Sequence, residues 1–388
     1  MKTKFFVMAA MAALFSMGFT ACSNNDEDLA SKQAAPARGI GFDVKTDGSL
    51  ATRGVATTSS ARQFASFQTW GYDAVDGGIY MGASNTAGLT VAFTDTDEDG
   101  DPDAWTYAPA QFWPLNALNF VAIAPAAPNG VSANTVAQDG TSKDITVSTT
   151  IALSGNVEDQ DDIMYAEGDG VTAADHDGDV PYVFKHALSQ IVFKGKLPTT
   201  GTITKVTISE ITLGNIGSAG TLTFDNNGAF FGGTNAYITT STPAAFTLAA
   251  SDLEGSVFEA GVSGIVAGTA FDLTTSDNAT KKNAWFMLPQ RSPAWVPAND
   301  GQLKAGAMVA APPTGAYLKI AATLERNGVT VLEDDKPIYI PLAANWDRTK
   351  KYIYTIEFNG TAALTPITFS VTTQDWTDAD PQPDQISM

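Results

Sequence analysis

The stretch Tyr352-Ile353-Tyr354-Thr355-Ile356-Glu357-Phe358 changes character from one residue to the next. Because successive side chains of an extended chain point to opposite faces, its two tyrosines, Ile356 and Phe358 share one face. Ile353, Thr355 and Glu357 share the other. This period of two predicts a half-buried β-strand.

Similar alternation of β-branched or aromatic residues recurs along the chain. It predicts strands at Thr202–Ile208, Tyr317–Leu324, Ile338–Leu342 and Ile367–Thr373. Asn327-Gly328 and Asn227-Gly228 each predict a hairpin, because type I′ turns need positive φ at both central residues. At Ala187–Ile191 the β-branched flanks favour a strand over a short helix. The sequence therefore predicts an all-β protein made of antiparallel sandwiches.

Composition narrows the class of function. The chain has 388 residues, of which 44% are hydrophobic and 16% charged, and its net charge is −20. A field this negative repels phosphate backbones, so we expect no nucleic-acid partner. With two His residues and a single Cys, the chain has few side chains that could ligate zinc, haem or an iron–sulfur cluster.

The N-terminus predicts export. Lys2 and Lys4 precede an unbroken apolar run from Phe5 to Phe15, which is too short to span a bilayer and fits a signal peptide over residues 1–21. Small residues then lead into Cys22, an arrangement that resembles a bacterial lipoprotein signal with Cys22 as the lipidated residue. The alternative is a plain secretory signal followed by a chance cysteine.

Residues 22–38 predict a flexible tether because they are polar and Ala-rich. The acidic run Asp26-Glu27-Asp28 just after the cysteine resembles the surface-export signals of some Gram-negative lipoproteins, although it could equally serve solvation alone. We therefore expect a surface-exposed protein of the cell outer membrane. With no second cysteine, the mature fold has no disulfide.

Several short motifs occur in a recognisable order. They are Ala51-Thr52-Arg53-Gly54, Phe112-Trp113-Pro114, Asp162-Ile163-Met164-Tyr165-Ala166, Phe184-Lys185-His186-Ala187-Leu188, Phe286-Met287-Leu288-Pro289-Gln290 and Trp346-Asp347-Arg348-Thr349-Lys350-Lys351-Tyr352. In order and spacing this set resembles the fimbrillin (Mfa-like, type V pilin) family of surface lipoproteins, from roughly Ile40 to Trp376. One departure is Thr349, which stands where the family motif usually has Gly.

The resemblance implies two tandem transthyretin-like antiparallel β-sandwich domains, here residues 39–179 and 180–376, followed by a polar tail at 377–388. It also implies assembly with other fimbrial subunits, either copies of this chain or related ones, into a fimbrium that mediates adhesion to a host or bacterial surface. In stalk subunits of the family, an arginine-specific protease removes the first strand, and a C-terminal strand of a neighbouring subunit fills the groove. Such strand addition is β-augmentation.

This sequence has candidate parts for that mechanism. Ile40, Phe42 and Val44 alternate as a removable first strand should, and Arg53 follows as a processing site, with Arg38 as a less favoured one. The donor strand would span residues 366–374, with Ile367, Phe369 and Val371 on one face. The alternatives are that Arg53 is an ordinary loop residue and that residues 366–374 form the last strand of their own domain.

The run from Asp95 to Asp103 has an oxygen-rich spacing that suits a hard cation. Asp95, Asp97, Asp99 and Asp103 are the candidate Ca²⁺ ligands, and Gly100 allows a turn. Thr106 stands where an EF-hand would place its glutamate. The alternative is a solvated hairpin turn between Val91–Phe93 and Trp105–Tyr107.

The sequence has no Gly-x-Ser-x-Gly elbow, no P-loop and no His-Glu-x-x-His motif, so we expect a protein that is not an enzyme and that requires no cofactor. The alternative is glycoside hydrolysis by a pair of carboxylates, which sequence alone cannot select because the two acids come together only in the fold. His186 is interpreted as a structural residue in a strand. The alternative to a fimbrial subunit is a non-polymerising, glycan-binding surface lipoprotein in which Trp70, Trp295 or Trp376 stacks on sugar rings, although burial in the core is favoured for each ring.

Overall fold

A computed structural model describes residues 38–46, 64–94, 104–199, 203–225, 243–274, 284–308, 310–358 and 368–375. All of them lie in one compact unit that begins at Arg38. Within these residues the regular elements are β-strands and short 3-10 helices at Val157–Asp159, Asp175–Gly178 and Asp300–Leu303. The protein is all-β, as the period-two pattern predicts.

The strands in chain order are β1 (Gly41–Thr46), β2 (Ser66–Asp73), β3 (Ile79–Met81), β4 (Leu89–Thr94), β5 (Ala104–Thr106), β6 (Leu118–Ala124), β7 (Val131–Gln138), β8 (Ile145–Ala152), β9 (Met164–Val171), β10 (Asp179–His186), β11 (Ser189–Lys196), β12 (Lys205–Gly217), β13 (Ala219–Asp225), β14 (Pro243–Ala249), β15 (Val257–Glu259), β16 (Ala270–Asp272), β17 (Trp285–Met287), β18 (Gln290–Ser292), β19 (Tyr317–Arg326), β20 (Val329–Leu332), β21 (Ile338–Pro341), β22 (Ala344–Trp346), β23 (Lys350–Glu357) and β24 (Thr368–Asp375).

The first sheet has the order β1-β10-β9-β6-β2-β4-β5, with β3 beside β2. β1 runs parallel to β10, whereas the other neighbours are antiparallel. The sheet is curled, as contacts between aromatic rings at its two ends show. Phe42 of β1 lies 5.7 Å from Tyr107, just after β5, and Phe64 lies 4.8 Å from Phe184 of β10. One buried aromatic core fills the concave side.

A three-stranded sheet, β13-β8-β7, covers the other face of the first sheet. Its apolar side chains, including Val147, Ile151 and Phe224, pack in one core with Trp70 and Val121. β13 follows β12 in the chain but pairs along its whole length with β8. The first sheet is therefore covered partly by a strand from the C-terminal half.

The C-terminal half is a second sandwich. One sheet has the order β16-β11-β23-β24 with β17 beside β11, and the other has the order β14-β12-β19-β20 with β15 and β21 attached. Their facing side chains form the largest core, in which Phe193 and Trp285 meet edge to face at 5.5 Å. The division at residues 179 and 180 and the transthyretin-like topology stay predictions. β10, which begins at that division, and β13, which follows it, both pair with strands that precede it.

Local predictions are confirmed where the structure describes the residues. Predicted strands appear as β19, β21, β23 and β24, and part of Thr202–Ile208 lies in β12. Asn327 and Gly328 have φ of 50° and 79° and join β19 to β20, as a type I′ hairpin requires. His186 ends β10 and is buried, with its Nδ1 2.6 Å from the Asp162 carboxylate. The Asn227-Gly228 turn lies outside the described residues.

None of the described helices is long and apolar enough to cross a membrane.

Thr349 keeps the backbone geometry that a glycine would have. Its φ is 59°, and its N–H donates to the carbonyl oxygen of Leu188 at 3.0 Å, which joins β23 to the start of β11. A β-branched residue at positive φ is strained. Thr349 therefore adopts a conformation that favours glycine, at a cost in backbone energy.

We expect Thr349→Gly to raise the free energy of unfolding by about 1 kcal/mol, because it removes the left-handed backbone strain. Denaturant-induced unfolding would measure this change. Thr355→Gly, in the extended part of β23, is the matched control and should lower the free energy of unfolding by about 1 kcal/mol. Equal destabilisation by both variants would show that Thr349 carries no strain.

Candidate functional site

β1 lies at one end of the curled sheet and pairs with β10 in register from Gly41–Asp179 to Thr46–Phe184. Among the described strands, β10 is its only strand neighbour. An edge strand held on one side is easier to remove than a central one, because only one ladder of hydrogen bonds must break. The sequence-predicted first strand therefore lies at a detachable position.

The inner face of β1 contributes to the aromatic core. Phe42 is 8% exposed, and its ring stacks on Tyr182 at 5.6 Å and meets Phe67 edge-on at 5.4 Å. Ile40 is 4% exposed, and Val44 packs partly buried against the same core. We call the surface that these three side chains cover, formed by Phe67, Tyr107 and Tyr182, the β1 cleft.

The floor of the β1 cleft is uncharged. The Tyr182 hydroxyl shares a 2.5 Å hydrogen bond with the hydroxyl of Thr69, which also donates to the carbonyl of Val121. Burial raises the pKa of Tyr182 far above its ordinary value, and it also raises the pKa of Tyr107. Because desolvation disfavours the phenolate, both phenols stay neutral near pH 7. The β1 cleft therefore accepts apolar side chains.

The N-terminal end of β1 is held from its second side. The N–H of Trp113 donates to the carbonyl of Arg38 at 2.9 Å, and the N–H of Ile40 donates to the carbonyl of Gln111 at 3.0 Å. The Tyr107 hydroxyl donates to the carbonyl of Ile40 at 2.7 Å. These bonds tie the start of β1 to the segment that follows β5 and close the curled sheet at one end.

Arg38 rests on the turn that precedes β10. Its guanidinium donates to the carbonyl of Ala173 at 3.4 Å and lies 3.9 Å from the Asp177 carboxylate. It also lies against Gly178, which has φ of 87° and no room for a Cβ. The Trp113 indole N–H donates to the carbonyl of Gly178 at 2.7 Å. The less favoured processing site is thus engaged through both its side chain and its backbone.

Carboxylates crowd the same end of β1. Asp179 lies beneath Gly41, where an added Cβ would overlap its carboxylate. Burial raises the pKa of Asp179, the neighbouring charges of Asp43 and Asp177 raise it further, and Arg38 opposes them. Ionised Asp179 is therefore unfavourable in the folded protein.

β24 is the outer strand of its sheet and pairs only with β23 among the described strands. Its register places Phe369 opposite Ile356 and Val371 opposite Tyr354. Val371 is half-buried against the core of the second sandwich, whereas Ser370 and Thr373 are exposed. β24 lies in its own sandwich here, which is the alternative position that the sequence left open for residues 366–374.

Other predicted site residues lie outside the described residues. They are Cys22, Arg53, Ile367, Trp376 and the Asp-rich loop with Asp95, Asp97, Asp99 and Asp103. β4 and β5, which flank this loop, pair as a hairpin with Phe93 opposite Trp105. The described residues contain no cluster of three His, Cys, Asp or Glu side chains suited to a metal. Calcium binding by the loop stays a prediction.

Trp70 and Trp295 are both buried, at 0% and 5% exposure. The Trp70 indole N–H donates to the carbonyl of Ser84 at 3.1 Å, and Trp295 packs with Tyr317 and Tyr339. Because a ring that stacks on a sugar must present a free face, neither residue can act as a glycan platform in this conformation. The core interpretation of these two rings is the one that the structure shows.

Sequence reasoning missed the residues that hold the start of β1. Trp113 was quoted only as part of a motif, and neither Tyr107 nor Gly178 was assigned a role. The Tyr107 contact with Ile40 spans 67 residues of sequence, and the Trp113 contact with Gly178 spans 65. A tryptophan in a Pro-containing loop is the one local signal that could have indicated such an anchor.

The chain belongs to the fimbrillin-like family, whose model matches residues 72–376. A fimbrial protein from Bacteroides vulgatus shares 18% identity at a TM-score of 0.55, with 88% of this chain and 100% of that chain covered. A fimbrial assembly protein from Parabacteroides distasonis shares 10% identity at a TM-score of 0.39, over 90% and 100% of the two chains. The tip fimbrial protein Mfa3 from Porphyromonas gingivalis, solved with a C-terminal truncation, shares 10% identity at a TM-score of 0.35, over 88% and 100%.

The first of these structures has the same fold as this chain. Among curated proteins, none matches the sequence. Membership of the family supports a fimbrial protein at the cell surface that interacts with other fimbrial subunits.

We expect Phe42→Ala to lower the free energy of opening β1 by about 3 kcal/mol, because a buried phenylalanine ring is lost from the aromatic core. Hydrogen exchange at the β1 amides would measure the change. Lys45→Ala is the control, since Lys45 pairs only with the half-exposed Asp43 and should shift opening by less than about 0.5 kcal/mol. Unchanged exchange in Phe42→Ala would contradict the role of the ring in holding β1.

Asp179→Asn tests the electrostatics at the same end. Because the folded pKa of Asp179 is raised, its contribution to stability is present at low pH and is lost as the pH rises above about 4 through the folded pKa. The variant should therefore hold β1 more firmly than the wild type at pH 7, and the difference should disappear at pH 3. Amide exchange of β1 at both pH values would measure this. A wild type that is firmer at pH 7 would contradict the prediction.

Proposed function

We propose that the protein is a subunit of a fimbrium that assembles by strand exchange and has an adhesive, structural role without turnover. In this mechanism β1 leaves its place beside β10, and a C-terminal strand of another subunit takes that place. The observation that carries the proposal is the position of β1, a single-edge strand whose Ile40 and Phe42 nevertheless complete a buried aromatic core. Family membership supports the same role.

Removal of β1 would create a site suited to a strand. The outer ladder of β10 would lose its partners from Asp179 to Phe184, and Phe67, Tyr107 and Tyr182 would lose their cover. Exposed main-chain groups and apolar surface together favour an incoming strand with alternating apolar residues. Water alone would solvate the backbone but not the rings.

β24 matches these requirements. Phe369 and Val371 alternate in it, and it has one strand partner and limited burial in its own sandwich. Detachment of β24 therefore costs less free energy than detachment of a central strand. In the assembled state β24 of one subunit would occupy the β1 cleft of the next. A head-to-tail contact of this kind does not close on itself and produces a filament.

The precursor would be held at the outer membrane. Lipidation of Cys22 would anchor the exported chain on the cell surface, and cleavage after Arg53 would release both the tether and β1. Cleavage after Arg38 would release the tether alone. The contacts of Arg38 with Ala173, Gly178 and Trp113 support Arg53 as the site of processing, since a protease requires an extended and unpaired substrate.

The test uses soluble protein that begins at Ser23 and an arginine-specific protease. We expect cleavage after Arg53 by mass spectrometry, followed by a ladder of detergent-resistant oligomers on unboiled gels. Arg53→Ala should remove both results, whereas Arg38→Lys should retain the ladder if the protease cuts only at Arg53. Assembly by uncut Arg53→Ala protein would contradict the proposed trigger.

Val371→Asp tests the donor strand. A carboxylate placed in an apolar cleft is costly, so we expect the cleaved variant to lose the ladder. Its monomer should still fold, because Val371 is only half-buried on an outer strand. Ser370→Asp adds the same charge one residue earlier on the exposed face and should assemble normally. Equal assembly by the two variants would show that β24 is not the donor.

A further inference from the structure

The proposed acceptor and donor sites share one stretch of backbone. β1 pairs with β10, and only Ala187 and Leu188 separate β10 from β11. β11 pairs in parallel with β23, which in turn pairs with β24. Thr349 bonds Leu188 at this junction, and Arg348 bonds the Tyr165 hydroxyl. Asp179 and Lys196 are therefore the outer ends of the β10–β11 run.

Strand register fixes the end from which a released β24 would extend. β24 begins with Thr368 opposite Glu357, and Glu357 lies opposite Lys196. The chain therefore reaches β24 from the Lys196 end, and Thr368 remains the tethered end after release. β1 begins at the Asp179 end of β10. Suppose that a donor β24 pairs with β10 of the acceptor and runs in the same direction as β1 does. Its tethered N-terminal end would then lie beside Asp179 of the acceptor, and the rest of the donor subunit would lie at that end too.

An exposed apolar patch lies at that end. It consists of Val75, Ile79, Phe112 and Leu115, with exposures from 43% to 106%. The Tyr80 hydroxyl donates to the carbonyl of Phe112, and the N–H of Ala74 donates to the carbonyl of Ala117 at 2.9 Å, so the β2–β3 turn and the loop before β6 are adjacent. We call these four residues the mouth patch.

The mouth patch adjoins the start of β1. Gly39 forms an isolated antiparallel bridge with Phe112, and the next residue, Trp113, bonds Arg38. The patch is therefore continuous with the end of the β1 cleft that lies beside Asp179. The opposite end of the cleft is at Phe184, and two residues separate it from the Ala187–Leu188 junction.

A second exposed apolar pair lies at the Lys196 end. Val262 and Val266 are 49% and 60% exposed in the loop between β15 and β16. β16 pairs with Lys194–Lys196, and the N–H of Gly268 donates to the carbonyl of Leu197 at 2.8 Å. We call Val262 and Val266 the tail patch. It lies at the end of the molecule from which β24 is tethered.

We propose that the mouth patch binds a second copy of this chain through the tail patch of that copy, while the donor β24 lies parallel to β10. The inference rests on the proposed strand exchange and specifies its direction and its body-to-body contact. Burial of two apolar surfaces stabilises such a joint, and exposed apolar patches commonly mark interaction sites. An antiparallel donor would instead bring the body of its subunit to the Phe184 end and leave both patches in water.

Cysteine cross-linking tests the contact. A chain that begins at Ser23 has no cysteine, because Cys22 is the only one in the sequence. Copies with Leu115→Cys would be mixed with copies carrying Val266→Cys, cleaved, and exposed to a mild thiol oxidant. We expect disulfide-linked dimers that contain one copy of each variant. Val296→Cys is the matched control for Val266→Cys, since Val296 is 84% exposed and belongs to neither patch.

Charge substitutions provide a second measurement. Leu115→Asp and Val266→Asp should each slow assembly by about tenfold or more, because a carboxylate must be desolvated in the joint. Val296→Asp should assemble at the wild-type rate. Leu115 is fully exposed, so its variant should fold, and far-ultraviolet circular dichroism checks this.

The outcomes separate the two proposals. A normal ladder with neither cross-linking nor slowing overturns the patch contact and leaves strand exchange intact. No ladder from the cleaved wild type overturns both. If Val371→Asp leaves the cross-linking unchanged, the patch contact between copies is supported. Strand exchange is then overturned as the cause of that contact, and the donor direction is overturned with it.

Discussion

The ring of Phe42, stacked on Tyr182 and edge-on to Phe67 and Tyr107, joins the two ends of the first sheet. Without it, the concave side of that sheet would be an open aromatic surface. This contact and the hydrogen bonds between residues 107–113 and residues 38–40 together hold β1 between the two ends of the curled sheet. β1 thus completes a core although only one ladder of hydrogen bonds holds it. The contact of Phe42 stabilises the folded protein, and it is also the contact that must break when β1 leaves.

The sequence predicted the strands well because period-two alternation is a local property. Tyr352–Phe358 and the Asn327-Gly328 turn both have the predicted geometry. Thr349 shows a limit of such reasoning, because a threonine does not by itself predict the positive φ that the backbone has there. Surrounding contacts, here the bond to Leu188, decide the conformation where local preference opposes it.

The candidate site was only partly predictable. Alternation identified Ile40, Phe42 and Val44 as one face of a strand, but not the parallel partner β10, which lies more than 130 residues away in the sequence. The anchors Tyr107, Trp113 and Gly178 were missed for the same reason, since pairings across the chain leave no periodic signal. The mouth and tail patches were invisible too, because an exposed valine and a buried one look alike in a sequence.

The pairing of β13 with β8 has a consequence for biosynthesis. The face of the first sheet that lies opposite its concave side cannot receive its full cover until residue 225 has been made, although the strands of that sheet end at residue 186. A nascent chain that stops earlier would present Trp70 and Val121 incompletely covered. The first sheet therefore completes its folding only after part of the C-terminal half has been made.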